Sequence, residues 1–344
     1  KNAIEKFKNN LGKINTLVIG RTGVGKSTLI NSIFHENGTR KSITQEIKEF
    51  SKEGYPISIL ETEGLDIIEY EKSLDDLENY IKKRKGSPNK NEQIHVAWVC
   101  ISELSYRFMR ADEAIIEKLL ECEIPVIVVL CKLLSMNDTT GLKEVIMKRF
   151  EYVSGVIVLN IVNYNTYTLK PFNLENLVIL TNEVLDEGMR NAFIASQKID
   201  LRFKKERAVK TVIASSSNSK IKSIKDLPNV CIDMITEITG IFGLELKNDN
   251  INIIISTFFW KIIFQKFFFK SIKSCINVEE RDKISKEEAS KIIETIGERY
   301  IDVLISSFIT KNNKNEYPLV EEILALINNE NSNGKKFIFF IINI

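Results

Sequence analysis

The stretch "LVIGRTGVGKSTLIN" (Leu17–Asn31) constrains the fold more than any other part of this chain. It sits where a β-rich apolar segment, "INTLVIG" (Ile14–Gly20), gives way to "STLINSIF" (Ser27–Phe34), whose apolar residues have helical spacing. Gly20, Gly25, Lys26 and Ser27 satisfy the pattern G-x-x-x-x-G-K-[ST], so strand, glycine-rich loop and helix occur in the order a phosphate-binding loop requires. The glycines let the backbone curl so that successive N–H groups face a polyphosphate, and the following helix adds the positive end of its dipole. The candidate cradle is Gly20, Arg21, Thr22, Gly23, Val24, Gly25, Lys26, Ser27 and Thr28. Within it Lys26 is expected to reach the β- and γ-phosphates and the Ser27 hydroxyl to ligate Mg2+. The loop alone leaves ATP and GTP equally open.

Around this loop, short apolar strands alternate with helical stretches as far as about Arg190. The strand candidates are Ile14–Gly20, Pro56–Leu60, Ile94–Ile101, Ile124–Leu130 and Val156–Val162. Helices are expected near Lys26–Phe34, Tyr70–Lys85, Ala111–Cys122 and Leu142–Phe150, with a longer one from Leu174. Such alternation predicts an α/β fold, a mostly parallel sheet covered by helices on both faces, over residues 1–190. From 191 to 344 the strand signature fades and a mainly helical domain is expected. Two features mark that second half. Lys198–Lys225 carries nine Lys and Arg against two acidic residues, and Ile251–Phe269 is the most apolar run of the chain. Lys261, Gln265 and Lys266 interrupt the run, so a buried or interface helix is expected, with membrane contact as the alternative. The closing "KKFIFFIINI" is too short to span a bilayer.

Composition removes several classes of function. A net charge of +2 gives no global attraction to nucleic acid, and no specific nucleic-acid partner is expected. Only His35 and His95 are present, which argues against a histidine metal site or a Ser-His-Asp triad. The five cysteines are scattered without a C-x-x-C pair, the usage of buried reduced thiols in a cytoplasmic protein.

Downstream of the loop, "ISILETEGLD" (Ile57–Asp66) places a strand before Glu61 and Gly64. With the loop, this resembles the P-loop GTPases of the translation-factor-related class, in particular Era-like, septin-like and AIG1-like G domains. The resemblance covers roughly Lys13–Arg190. That family reads D-x-x-G here; Glu61 replaces the Asp that contacts Mg2+ through water, and Gly64 matches the glycine whose N–H senses the γ-phosphate. Thr44, within "ITQEI", matches the switch threonine that meets Mg2+, with Thr39 as the alternative. The implied metal set is Ser27, Thr44 and Glu61. Leu65 stands where many family members carry a water-orienting glutamine, which implies slow hydrolysis completed by a group from elsewhere. In "VLCKLLSMND" the base motif [NT]-K-x-D is broken: Lys132 matches its lysine, but Leu134 replaces the base-reading Asp. Asp138 stands four residues beyond Leu134, and Asn160 follows the next strand as a further base contact. The C-terminal segment "PNVCIDMITEITGIFGLEL" (Pro228–Leu246) resembles, more loosely, a hydrophobic helical module that follows some Era-like G domains.

The expected function is a GTP-binding regulatory protein, binding GTP and GDP with Mg2+ and hydrolysing GTP slowly. Its switch loops would signal to the helical domain and a protein partner. A homodimer through the G domain and peripheral membrane contact through the C-terminal half are further expectations. The alternatives are a degenerate nucleotide-binding scaffold and, ranked lower, an ATPase or kinase.

Overall fold

In the computed structural model the described residues are 12–34, 39–42, 47–51, 56–62, 70–102, 108–131, 141–160, 173–217, 221, 223, 226–244, 250–251, 253–254, 284–312 and 320–327. They divide into two units, one within Asn10–Asp200 and one within Leu201–Ile344.

The apolar runs of the first half become strands because each can be covered on both faces. β1 (Ile14–Ile19), β4 (Ile57–Thr62) and β6 (Val126–Cys131) are buried at every position. With β2 (Thr39–Ser42), β3 (Ile47–Ser51), β5 (Val96–Ser102) and β7 (Gly155–Val158), they form a seven-stranded sheet of order β2-β3-β4-β1-β5-β6-β7. The pairs β4-β1-β5-β6-β7 are parallel, and β2 and β3 join as an antiparallel edge. This edge hairpin was not among the expected strands. Its sequences, "TRKS" and "IKEFS", carry neither an apolar run nor strict alternation, so their partner strands rather than their own pattern make them β.

The expected helices also form. They are α1 (Lys26–Ile33), α2 (Tyr70–Lys85), α3 (Arg110–Glu121) and α4 (Leu142–Arg149). The long helix expected from Leu174 is two helices, α5 (Leu174–Val184) and α6 (Glu187–Ser196), separated where Leu185 turns extended. On one face of the sheet Leu17, Ile19, Leu60, Val99 and Val128 pack with Leu77 and Ile81 of α2, Ile115 and Leu119 of α3 and Ile146 of α4. On the other, the buried Trp98 stacks on Phe34 at 6.0 Å and donates to Thr181 Oγ1 of α5 at 3.1 Å. Phe34 also meets Phe193 of α6 edge-on at 6.1 Å. Helix α6, which runs through the division expected near residue 190, packs on β1 and β4.

The second unit is helical where described. α7 (Leu201–Ser216), α8 (Leu227–Ile241) and α9 (Lys286–Asn312) pack on one another through Val212, Met234, Ile238, Ile293, Tyr300 and Phe308. Gly297 lets α9 approach α7 closely, since a Cβ there would lie 2.4 Å from Val212 Cγ2. The Tyr300 hydroxyl meets Thr239 Oγ1 at 2.7 Å, and the fully buried Lys204 donates to Ile241 O at 3.1 Å. Burial holds that ammonium's pKa well below its ordinary value. Among the described residues no helix is long and apolar enough to cross a membrane. The apolar run Ile251–Phe269 lies outside them except for Ile251, Ile253 and Ile254, and so does the chain's final segment. Cys100, Cys122, Cys131 and Cys231 are free and buried.

Candidate phosphate and metal site

The sheet order fixes where a ligand can sit. β1 leads into α1, and its neighbours β4 and β5 lie on opposite sides, so the loop after β1 stands at a topological switch point beyond the strands' carboxyl ends. Two glycines shape that loop for different reasons. At Gly20, φ is +155° and a Cβ would stand 2.2 Å from the Cys100 carbonyl oxygen of β5, so only glycine fits. Gly25, at φ +107°, precedes α1 and offers no side-chain cap to the helix's first N–H groups. No acidic residue lies in that first turn either. These donors and the positive helix end are therefore open to an anion.

Lys26 is buried to 6 % exposure, and its ammonium turns back onto the loop, donating to Gly20 O at 2.8 Å and Arg21 O at 3.1 Å. Burial lowers its pKa from the ordinary lysine value, while Cys100, Glu61 and Cys131 act in the opposite direction. Two neutral carbonyls are modest partners for an ammonium, and a phosphate oxygen would replace them with an acceptor that carries charge of its own. Ser27 Oγ donates to Glu61 Oε1, and Glu61 is itself buried at the end of β4. A hydroxyl and a carboxylate side by side are oxygen donors suited to a hard cation such as Mg2+, so the residues present fit the expected metal.

Arg21 uses its side chain elsewhere. Its Nη1 donates to Met109 Sδ at 2.9 Å, and its Nη2 lies 3.5 Å from Asp112 Oδ2 on α3. Asp112 is 1 % exposed and also accepts from Met109 N at 3.2 Å, which closes the start of α3. Burial raises the Asp112 carboxyl pKa, opposed by that backbone hydrogen bond and by Arg21. This tether escaped sequence reasoning because Asp112 is one acid among many and carries no motif. Val24 is buried, whereas Thr22, Gly23 and Thr28 are exposed around the loop.

Asn160 is buried just beyond β7, whose last carbonyl, Val158 O, accepts from Asn173 Nδ2 at 2.7 Å. Thr44, Gly64 and Lys132 lie outside the described residues, as do Leu65, Leu134 and Asp138. Of the expected set, the structure thus brings together the loop, Lys26, Ser27 and Glu61.

Residues 15–132 match the family model described as 50S ribosome-binding GTPase. None of the curated proteins matches the chain. Among solved structures, a probable GTP-binding protein EngB is 22% identical, covers 49% of this chain and 97% of its own, and has a TM-score of 0.36. The G domain of the T. maritima FeoB iron transporter is 17% identical, over 50% of this chain and 98% of that one, with a TM-score of 0.33. An S. thermophilus NFeoB mutant bound to GDP is 13% identical over 92% of this chain and 97% of that one, with a TM-score of 0.36. With the loop, its helix and the sheet order in place, and with residues 15–132 matching that family model, the first unit has a G-domain fold.

Proposed function

We propose that this chain is a GTP-binding regulatory protein that hydrolyses GTP slowly with Mg2+. The observation that carries the reading is the start of α1: uncapped N–H groups, the Lys26 ammonium and the Ser27–Glu61 pair converge on one short loop. Each has a role toward a nucleoside triphosphate. Lys26 leaves the carbonyls of Gly20 and Arg21 for the β- and γ-phosphates. Ser27 and Thr44 supply oxygens to the cation, which neutralises phosphate charge when bound, and Glu61 holds it through water. Gly64 reports the γ-phosphate through its N–H, and Lys132 and Asn160 hold the base. GTP and GDP then bias the switch segments differently, and the helical unit carries the difference to a protein partner.

Leu65 offers no group to orient water, so hydrolysis by one chain is slow. A residue from outside completes it, and a second copy meeting through the G domain is the simplest source. Leu65 and Leu134 favour a second reading, a nucleotide-binding scaffold without significant turnover. An ATPase or kinase ranks lower, because "ETEGLD" has the form of a GTPase switch. The protein is assigned to the cytoplasm, with membrane contact as an added property of the basic and apolar C-terminal segments.

Isothermal titration with GTP, GDP and ATP in Mg2+, followed by turnover at several protein concentrations, tests these readings. Preference for GTP with a rate rising with concentration supports the proposal. Tight GTP binding without turnover at any concentration selects the scaffold, and equal ATP binding removes the guanine assignment.

A further inference from the structure

The far end of α1 is held as deliberately as its phosphate end. Of its last carbonyls, Ile30 O accepts from Phe34 N at 2.9 Å, Asn31 O from Lys198 Nζ at 3.0 Å and Ile33 O from Lys198 N at 3.0 Å. One residue, 167 positions from Asn31, thus satisfies two carbonyls that a helix end leaves open. Its ammonium also lies at the negative end of the same dipole whose positive end faces the phosphate site. Phe34, packed on Phe193 and Trp98, fixes the helix end from its other side.

Lys198 belongs to a turn with little slack. Gln197 is fully buried, and its Oε1 accepts from Ile199 N at 2.7 Å and Asp200 N at 2.8 Å. Its Nε2 donates to Asp200 O at 2.8 Å, and its own N–H bonds Phe193 O at 3.0 Å. These bonds close the turn on itself and on the end of α6. The next residue, Leu201, begins α7.

The geometry points to Lys198 as a positioning residue of the phosphate site, acting through α1 and tying the occupancy of that site to the start of the helical unit. An eight-residue helix is a rod about 12 Å long. An anion that draws its first amides forward also draws on the carbonyls bonded to Lys198. Because the side-chain bonds of Gln197 all go to Ile199 and Asp200, residues 197–200 respond together, and Leu201, the first residue of α7, follows them directly in the chain. By reciprocity, whatever holds the start of α7 alters affinity at the loop. This inference rests on the nucleotide reading above.

The test compares the full chain with Lys198→Met, which keeps the apolar stem and removes the donor, and with Lys198→Arg. GTP affinity is measured by titration, and amide exchange is followed over residues 26–34, 187–196 and 197–204 with and without a non-hydrolysable GTP analogue and Mg2+. In the wild type the analogue should slow exchange at the start of α1 and, by about fivefold, across 197–204. Lys198→Met should keep the response at α1 and the basal exchange of 187–196, lose the response at 197–204, and bind GTP several-fold more weakly. Lys198→Arg should restore part of both. A response at 197–204 that survives in Lys198→Met overturns the inference. So does a wild-type response confined to α1, which decides the matter even if Lys198→Met fails to fold. A wild-type titration without binding refutes the nucleotide reading itself, and is read separately from the exchange data.

Discussion

Gly20 is a fixed position of the loop pattern and Gly23 a variable one, and the structure gives them different duties that alanine at each should separate. At Gly20 the new Cβ would lie 2.2 Å from Cys100 O, against about 3.3 Å for the closest ordinary C···O approach. Neither side can give way easily, because Gly20 follows β1, Cys100 lies in β5, and the strands are hydrogen-bonded neighbours through Ile19 and Val99. The new Cβ meets a strand carbonyl rather than a flexible side chain, an overpacking cost of about 1–3 kcal/mol. The φ of +155° adds about 1–3 kcal/mol for a side chain held in a region that only glycine favours. Together Gly20→Ala should cost about 2–6 kcal/mol, a large share of a stability that is commonly about 5–15 kcal/mol. Gly23, at φ +78°, has nothing within 4 Å of a built Cβ, so Gly23→Ala pays only the left-handed backbone, about 1–2 kcal/mol. Urea unfolding followed by intrinsic fluorescence reads the difference, since Trp98 is buried in the same sheet. Equal destabilisation by the two substitutions, or a milder effect at Gly20, would refute the close approach to β5.

Other outcomes follow from the same geometry. Lys26→Ala should weaken GTP binding at least about tenfold in a calorimetric titration while leaving the urea midpoint nearly unchanged, the loss of one charge-assisted hydrogen bond being worth about 1.5–3 kcal/mol. His95 accepts from Asn15 N at 2.9 Å through Nδ1 and meets Lys90 O at 2.9 Å through Nε2, and burial lowers its pKa below the ordinary 6.5. The unfolded chain therefore takes up the proton first as pH falls, so this contribution is complete above pH 6.5 and is lost on descending toward the folded pKa. His95→Asn, which can still accept from Asn15, should flatten the urea midpoint over that window. Gly297→Ala should destabilise the helical unit through its contact with Val212 Cγ2, and Val212→Ala should relieve part of the loss in a double-mutant melt. Liposome flotation should retain the full chain only when anionic lipid is present, and retention by neutral vesicles would assign the contact to apolar burial alone.

The central strands were legible because parallel strands covered on both faces read as plain apolar runs, "VAWVCIS" and "VIVVLC" among them. The loop was legible because phosphate chemistry needs glycines and a lysine at fixed spacing. The β2–β3 edge was not, since Arg40, Lys41, Lys48 and Glu49 give it no apolar signature. Nor was the break at Leu185, where apolar residues continue across two helices and only the backbone changes direction. The tether from Arg21 to Asp112 and the bond from Lys198 to Asn31 depend on residues 91 and 167 positions apart, which a local pattern cannot join.

The buried thiols offer a use that no designed probe would improve. Burial pushes the Cys231 thiol up to about 12, and the hydrogen bond with Cys131, with burial, pushes Cys100 well above its ordinary value. All four of these thiols are buried, so a thiol reagent reaches them only when the surrounding structure opens. Cys100, Cys122 and Cys131 belong to the sheet unit and Cys231 to the helical one, so each unit carries its own native clock. Labelling rates resolved by peptide mass would then give two opening free energies from one untouched sequence, with and without nucleotide, and would tell whether the halves breathe together or apart.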